Sequence, residues 1–403
     1  MSRGPVAAAP SLFGTSERLP DLLAQVRHFV EAFCIPREHN DHAHDVAALD
    51  AALAELRPVA RRLGVYAPQL PLALGGLALS WRDRAALLEE AGRSYLAPGA
   101  MNCAPPDQPN MINLLRDGTP AQQQRYLLPL AAGEQRSCFA MTEPAPGAGS
   151  DPSMLRTSAT RRNDRWVIDG HKWFISGAIG AAFAIVLARA DAGPTLFIVD
   201  ATNPGFRVVR NVAAIGAYAI GGHAEIRFVD CEVDDEAVLG EVGRGFAYAQ
   251  TRLEPARLSH CMRYIGRARR ALEIAEAYVL QRESFGQRLS ELQQIQAMVA
   301  DSHIDLHASR LLTWHCAARL DAGKSVKDES AMTKVFVSEA VNRVADRAAQ
   351  MMGALGMSED TVVSHIVREL RPFRIYDGAS ELHRATLGRR FLRSAASNAE
   401  AMT

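Results

Sequence analysis

The stretch Phe183–Val199, FAIVLARADAGPTLFIV, sets two short apolar runs on either side of an Asp-Ala-Gly-Pro turn. Runs of this length, rich in β-branched and aromatic residues and bounded by turn formers, read as strands joined by a tight connection. Working outward, Trp166–Ile168 precedes the pair, and Phe206–Val209 and Glu225–Val233 follow it, again separated by Gly, Pro, Asn and Asp. Beyond this block the apolar period lengthens. Leu22, Leu23, Val26, Phe29, Val30 and Phe33 recur at steps of three and four, the spacing of one buried helix face. Leu49–Leu63 and Arg84–Ala91 continue the helical texture on either side of the turn-rich stretch Pro68–Gly76. After about Gly245 the period is helical again. Leu258, Cys261, Met262, Ile265, Ala268, Leu272, Ala275 and Val279 keep it over about six turns. A second helix is expected to end near Gly323, a third to carry Met332, Phe336, Ala340 and Val344 and stop near Gly353, and a last to begin close to Ser380. Four long antiparallel helices make a bundle. The expected fold is therefore mostly α with a small β-domain: an N-terminal helical domain over 1–136, a middle β-domain over 137–244 and a four-helix bundle over 245–403.

A chain of 403 residues exceeds one comfortable core and suits two or three domains. Basic and acidic side chains balance at 45 each, so the charge suggests neither a nucleic-acid partner nor a general membrane surface. No apolar run is long enough to span a bilayer, and MSRGPVAAAP lacks the pattern of a signal or transit peptide, which reads as cytoplasmic. Cys34, Cys103, Cys138, Cys231, Cys261 and Cys316 are scattered without a CxxC pair, the pattern of buried reduced thiols. His39, His42 and His44 lie with Asp41 and Asp45 in REHNDHAHD, but no two of these histidines stand four apart, so a solvated helix end is expected and no metal site. There is no GxGxxG opening a helix after a strand, no GxxxxGK[ST] and no GxSxG.

Three segments carry unusual chemistry. Cys138–Asp151, CFAMTEPAPGAGSD, is a strand end running into a Pro/Gly-rich loop with hydroxyls at Thr142 and Ser150. Such a loop brings free backbone N–H groups close to a phosphate or a flat ring. Gly170–Gly177, GHKWFISG, sets two aromatics beside a serine. Arg374–Arg384, RIYDGASELHR, sets an acid before a glycine, ahead of a helix.

Together and in this order they resemble the acyl-CoA dehydrogenase family, whose members carry a TEPxxGSD-like loop, a K-W-I-[TS]-like strand and a late Y-E-G-T-S-like turn. QRESFGQRLSELQ at Gln281–Gln293 and QMMGALG at Gln350–Gly356 extend the likeness over essentially the whole chain. NCAPPDQPNM, GGHAEIRF and RLEPARLSHCMR bring it closest to the type-10 and type-11 subgroup. The resemblance implies an N-terminal helical domain, a barrel-like middle domain, a C-terminal four-helix bundle and bound FAD. Met141, Thr142 and Ser150 would line the flavin and its pyrophosphate, with Ser150 also near substrate. Phe174 stands where relatives pack a tryptophan on the isoalloxazine, and Ser176 where a threonine hydroxyl points at flavin N5. Arg282 and Phe285 match positions that hold pyrophosphate and adenine from a partner chain in a homodimer or homotetramer. Gln293, Gln350 and Gly353 match contacts to the adenosine end, although Ala354 replaces the second glycine usual there. Arg257 matches an arginine near the acyl-CoA channel, with structural pairing as its competitor.

Asp377 matches the catalytic base, more often a glutamate. The implied reaction removes the α-proton of an acyl-CoA thioester to a carboxylate while hydride leaves the β-carbon for the flavin, giving the trans-2-enoyl-CoA. Electron-transferring flavoprotein is the implied acceptor. Burial beside an acyl chain is expected to raise the carboxyl pKa. An aspartate falls roughly 1–1.5 Å short of a glutamate. Some subfamilies place the base one residue before the arginine matched by Arg257; Ala256 excludes that here, and Glu254 is the remaining alternative carboxylate. A nitroalkane oxidase-like flavin oxidase and a catalytically weak FAD- or acyl-CoA-binding relative are the competing readings.

Overall fold

The computed structural model describes residues 14–38, 45–149, 151–215 and 220–400. Ser150 and His39, His42 and His44 lie outside the described residues. Helix α1 (Leu19–Phe29) buries Val26 and Phe29, as their spacing requires, and runs on through one wider turn, Val30–Cys34, before Pro36 ends it. Helix α2 (Val46–Arg62) starts on Asp45, whose carboxylate accepts from the N–H groups of Ala47 and Ala48. Helix α3 (Trp81–Gly92) is capped by Ser80. Helix α4 (Asp107–Asp117), formed by the NCAPPDQPNM region, has no counterpart among the apolar runs read from sequence because most of its buried residues are polar or small.

The middle of the chain forms an eight-stranded sheet ordered β6-β7-β3-β2-β4-β5-β8, with β1 paired to β4. These strands are β1 (Ser137–Ala140), β2 (Ser158–Arg162), β3 (Arg165–Ser176), β4 (Phe183–Ala190), β5 (Gly193–Asp200), β6 (Phe206–Asn211), β7 (His223–Val233) and β8 (Val238–Leu239). The opening stretch folds as the antiparallel pair β4–β5, Phe183 facing Asp200 and Ala190 facing Gly193. Strand β3 continues past the Trp166–Ile168 run to Ser176, so GHKWFISG belongs to the sheet.

The bundle is built from α5 (Gly245–Gln281), α6 (Gln293–Asp321), α7 (Lys327–Met352) and α9 (Ser380–Glu400), with a shorter α8 (Val363–Leu370) before the last. Its core holds Cys261, Ile265, Ala268 and Leu272 against Val337, Val341 and Val344. The N-terminal helices dock on it by backbone contact. A Cβ added to Gly266 would lie 1.8 Å from the Glu89 carbonyl oxygen, and one on Gly92 would lie 2.0 Å from that of Arg263. Only glycine lets α3 and α5 approach this closely. Around the contact Glu89 takes Arg269 and Arg310, at 3.0 and 2.8 Å, and Glu90 takes Arg269 at 2.8 Å. All six cysteines are buried and unpaired, and no helix among the described residues is long and apolar enough to cross a membrane.

Candidate active site

The TEPAPGAG loop is fixed to β3 by a buried ion pair inside the two motifs. Lys172 Nζ lies 2.9 Å from Glu143 Oε1, with side chains 0% and 2% exposed, and also donates to the Met141 carbonyl at 2.9 Å. Glu143 accepts further bonds from the N–H groups of Ala148, Arg156 and Thr157, at 3.1, 2.7 and 2.8 Å. Burial works against its charge, but Lys172 and these donors outweigh it and hold the carboxyl down at about 2. The Trp173 N–H bonds the Thr142 carbonyl at 3.1 Å, so Met141, Thr142 and Glu143 all face the strand that carries Phe174 and Ser176.

A register shift between Lys172 and Ile175 bulges β3 against β7. It puts Phe174 at φ 52° with 47% of its surface exposed, set edge-on to Trp173 at 4.9 Å. A bulge re-aims a side chain that a regular strand would point into the sheet. Two residues on, Ser176 Oγ lies 2.9 Å from Nδ1 of His223, at the start of β7. Burial pulls that imidazole below its ordinary pKa and favours the neutral ring.

Asp377 lies on the turn before α9 at φ 55°, followed by Gly378 at φ 97°. Both carbonyls of this left-handed pair are held from the bundle. Arg257 Nε on α5 donates to the Asp377 carbonyl at 2.8 Å, His383 Nε2 on α9 approaches the same oxygen at 3.1 Å, and Lys334 Nζ on α7 donates to the Gly378 carbonyl at 2.6 Å. A Cβ on Gly378 would stand 2.5 Å from His383 Nε2, and its φ of 97° is itself one that favours glycine beside Asp377. Burial lowers His383 to about 4 and Lys334 to about 8. The first is therefore a neutral ring donating Nε2–H, because a carbonyl only accepts.

The Asp377 carboxyl overturns one expectation. Burial does push it up, but the nearby imidazole of His260, then the guanidinium groups of Arg257 and Arg252, outweigh that and hold it well below the usual carboxylate range. Arg252 links this turn to the other motif. Its Nε donates to Asn110 Oδ1 on α4 at 2.8 Å, and its guanidinium lies over the Phe139 ring on β1, 4.1 Å from the centroid. Asn110 in turn bonds Ser137 Oγ at 2.9 Å.

Arg282, Phe285, Gln293, Gln350 and Gly353 gather elsewhere. All five are exposed and lie where α5 ends, α6 begins and α7 ends, which antiparallel packing brings to one end of the bundle. Phe285 is 90% exposed at the tip of the hairpin Ser284–Gln287, with φ 57° before Gly286 at 78°. Arg257 and Arg282 are 25 residues apart on the α5 path, about 37 Å at the α-helical rise. Within one chain, then, the structure brings Met141, Thr142, Phe174 and Ser176 together, seats Arg257 against Asp377, and sets the other five positions at the end of the bundle remote from Arg257.

The sequence reading passed over Glu143, Lys172, His223, Arg252, His260, Lys334 and His383. Two signals were present: a charged residue inside each quoted motif (Glu143, Lys172), and a lysine at 334 on the buried face marked by Ala331, Val337 and Val341. The pairing of His223 with Ser176 depends on β3–β7 register and leaves no local trace.

A helical lobe, a bulged sheet carrying an exposed aromatic, and a bundle that holds an aspartate on a clamped turn define the acyl-CoA dehydrogenase architecture. The chain belongs to the acyl-CoA dehydrogenase family: its N-terminal, middle and C-terminal domain models match residues 16–134, 138–231 and 243–392. It is 34% identical to acyl-CoA dehydrogenase family member 11 of Gallus gallus over 94% of this chain and 51% of that protein. It is 35% identical to a Mycobacterium tuberculosis protein that carries an acyl-CoA dehydrogenase name, over 84% of each. The chain spans about half or less of the first relatives it matches. A Mycobacterium abscessus structure described as an acyl-CoA dehydrogenase superposes with a TM-score of 0.89 at 32% identity, covering 95% of this chain and 100% of that one.

Proposed function

We propose that the protein is an FAD-dependent acyl-CoA dehydrogenase in which Asp377 removes the α-proton of the thioester. The observation that carries the reading is the Asp377 turn: a partly buried acid in a left-handed conformation, its own carbonyl and that of Gly378 fixed by Arg257, His383 and Lys334 from three helices. Non-glycine residues are held in such conformations only where the surroundings over-determine them, and such positions cluster at functional sites. The residues present suit a flavin. Phe174 offers an exposed aromatic face beside the Ser176 hydroxyl, and the backbone of Met141 and Thr142 is held against the same strand. Bound FAD would supply the acceptor for the β-hydride. Thr142 and Ser150 would bind toward its pyrophosphate.

Asp377 accepts the α-proton on its carboxylate, which the surrounding cations keep ionised at neutral pH. Arg257 and Lys334 hold the turn so that the carboxylate does not recede from the substrate. The distance between Arg257 and the exposed Arg282 group supports a site completed by a second copy, with Arg282, Phe285, Gln293, Gln350 and Gly353 reaching the adenosine half of a neighbour's FAD. A homodimer or homotetramer follows, and electron-transferring flavoprotein is the proposed acceptor.

The test is anaerobic flavin bleaching by butanoyl-, octanoyl- and palmitoyl-CoA. Asp377→Asn is expected to retain FAD and bind acyl-CoA while bleaching falls by about three or more orders of magnitude, a loss confined to the chemical step. Rapid bleaching by that variant would remove Asp377 as the base and turn attention to Glu254.

A further inference from the structure

The carboxylate of Asp377 is held less completely than its backbone. Its Oδ2 is closed from solvent, yet no donor meets it at a hydrogen-bonding angle. The nearest is Nδ1 of His260, at 3.2 Å. That nitrogen carries a hydrogen, because its other neighbour is the Ala256 carbonyl at 2.9 Å, and a carbonyl only accepts. The imidazole is 8% exposed and packed among Tyr264, Phe373 and Tyr376, with ring centroids at 5.9, 5.8 and 5.1 Å. A 2.7 Å bond between the Tyr376 and Tyr264 hydroxyls ties that wall together. Close packing leaves the ring no room to swing out, but a small tilt moves its N–H from Ala256 toward Asp377.

We propose that His260 is the positioning residue of the base: its Nδ1–H holds Oδ2, so that the other carboxylate oxygen is the one presented to the substrate. This rests on the reading of Asp377 as the base. The physical need is greatest for an aspartate. The last torsion of either acid joins an sp³ to an sp² carbon, which makes it broad and two-fold, so a carboxylate without a donor on one oxygen is free to turn. The shorter acid cannot recover a lost ångström by another rotamer, and an error of that size costs on the order of a hundredfold in rate. The other groups facing this carboxylate do not replace the imidazole. Arg257, Lys334 and His383 are turned to backbone carbonyls, Arg252 to Asn110 and Arg263 to the Cys103 carbonyl, and the Tyr376 hydroxyl to Tyr264.

The holoenzyme is mixed anaerobically with whichever of butanoyl-, octanoyl- or palmitoyl-CoA bleaches the parent flavin fastest, across a pH series. His260→Phe keeps a ring in the aromatic box and removes the N–H; His260→Asn sets an amide nitrogen near the place of Nδ1. The Phe variant is expected to keep FAD content and acyl-CoA affinity within about twofold while bleaching slows on the order of a hundredfold. Its acid limb is expected to move to higher pH, since a donor that favours the ionised carboxyl has gone. The Asn variant is expected to stay within about tenfold of the parent, with the acid limb unmoved. Bleaching by His260→Phe at the parent rate, or equal slowing in the Phe and Asn variants, overturns the inference. Asp377→Asn run beside them separates the two failures. If it bleaches like the parent the base assignment falls, whereas if it is inactive and His260→Phe is not, only the role of His260 falls.

Discussion

Replacing Lys172 by methionine removes the charge that holds the TEPAPGAG loop to β3 and leaves a side chain of similar length in the same space. Breaking one partner of a buried ion pair costs about 3–5 kcal/mol when the other charge is left uncompensated. Glu143 is not left bare, because three backbone N–H groups still reach it, which puts the pair itself at the low end, about 3 kcal/mol. The Met141 carbonyl also loses its lysine donor, adding about 1 kcal/mol. The expected loss is thus about 3–4 kcal/mol in urea unfolding at pH 7, with the slope unchanged. The measurement is made at fixed FAD, with FAD affinity titrated separately so that its mass-action contribution can be subtracted. Affinity for FAD should itself fall by about tenfold or more, since a loop that leaves the strand no longer presents Met141 and Thr142 together. Glu143→Gln and the double variant complete a cycle whose coupling should exceed about 1 kcal/mol. A methionine variant within about 0.5 kcal/mol of the parent, or single losses that simply add, would refute the clamp.

Acid should act through the same pair. Glu143 has a folded carboxyl at about 2 against an ordinary 4.5, so its contribution is complete above 4.5 and is lost as pH falls toward 2; Glu143→Gln should flatten that part of the urea-stability curve, and an unchanged slope would count against it. Arg282→Ala should weaken FAD retention more than acyl-CoA binding, and equal retention in variant and parent by absorbance after gel filtration would take Arg282 out of the cofactor site. Asp377→Glu should slow anaerobic bleaching by about tenfold or more, because another methylene drives the carboxylate into His260, already 3.2 Å away; turnover at or above the parent rate would show a site that merely tolerates aspartate.

Much of this molecule was legible because its long elements bury one face. The period of α5 shows in Leu258–Val279, and the hairpin β4–β5 in a single stretch of seventeen residues bounded by turn formers. The extension of β3 to Ser176 was hidden by its own bulge, which breaks alternation at the residues that matter. Helix α4 was hidden because Asn110 and Asn113 are buried for hydrogen bonds rather than for apolar area. At the candidate site the acid was visible as a residue type before a glycine. Its surroundings were not, since Arg252, His260, Lys334 and His383 come from three helices whose relative rotation no local pattern records. That omission produced the reversed expectation for Asp377: desolvation can be guessed from sequence, whereas compensating charges across a bundle cannot.

The same surroundings raise a question of balance for the proposed reaction. A carboxylate held well below its usual range is always ionised at neutral pH, but it is also a weaker proton acceptor. Arg252, Arg257 and Lys334 impose both effects. Proton transfer from the thioester does not, however, remove negative charge from this neighbourhood. It moves the charge from the Asp377 carboxylate to the developing enolate oxygen of a substrate held against it. Cations that face both oxygens stabilise the ionised base before transfer and the enolate after it, so much of their opposition to proton transfer cancels. In a partly buried site their attraction is stronger than in open solvent, and groups already fixed in place need little reorganisation as the charge shifts. What does not cancel is the contact that touches only the carboxylate. His260 is that contact, so its worth must lie in geometry rather than in charge. A neutral ring, pulled below its ordinary pKa by burial and by Arg263, suits that task better than an imidazolium, which would bind the base too firmly to let it act.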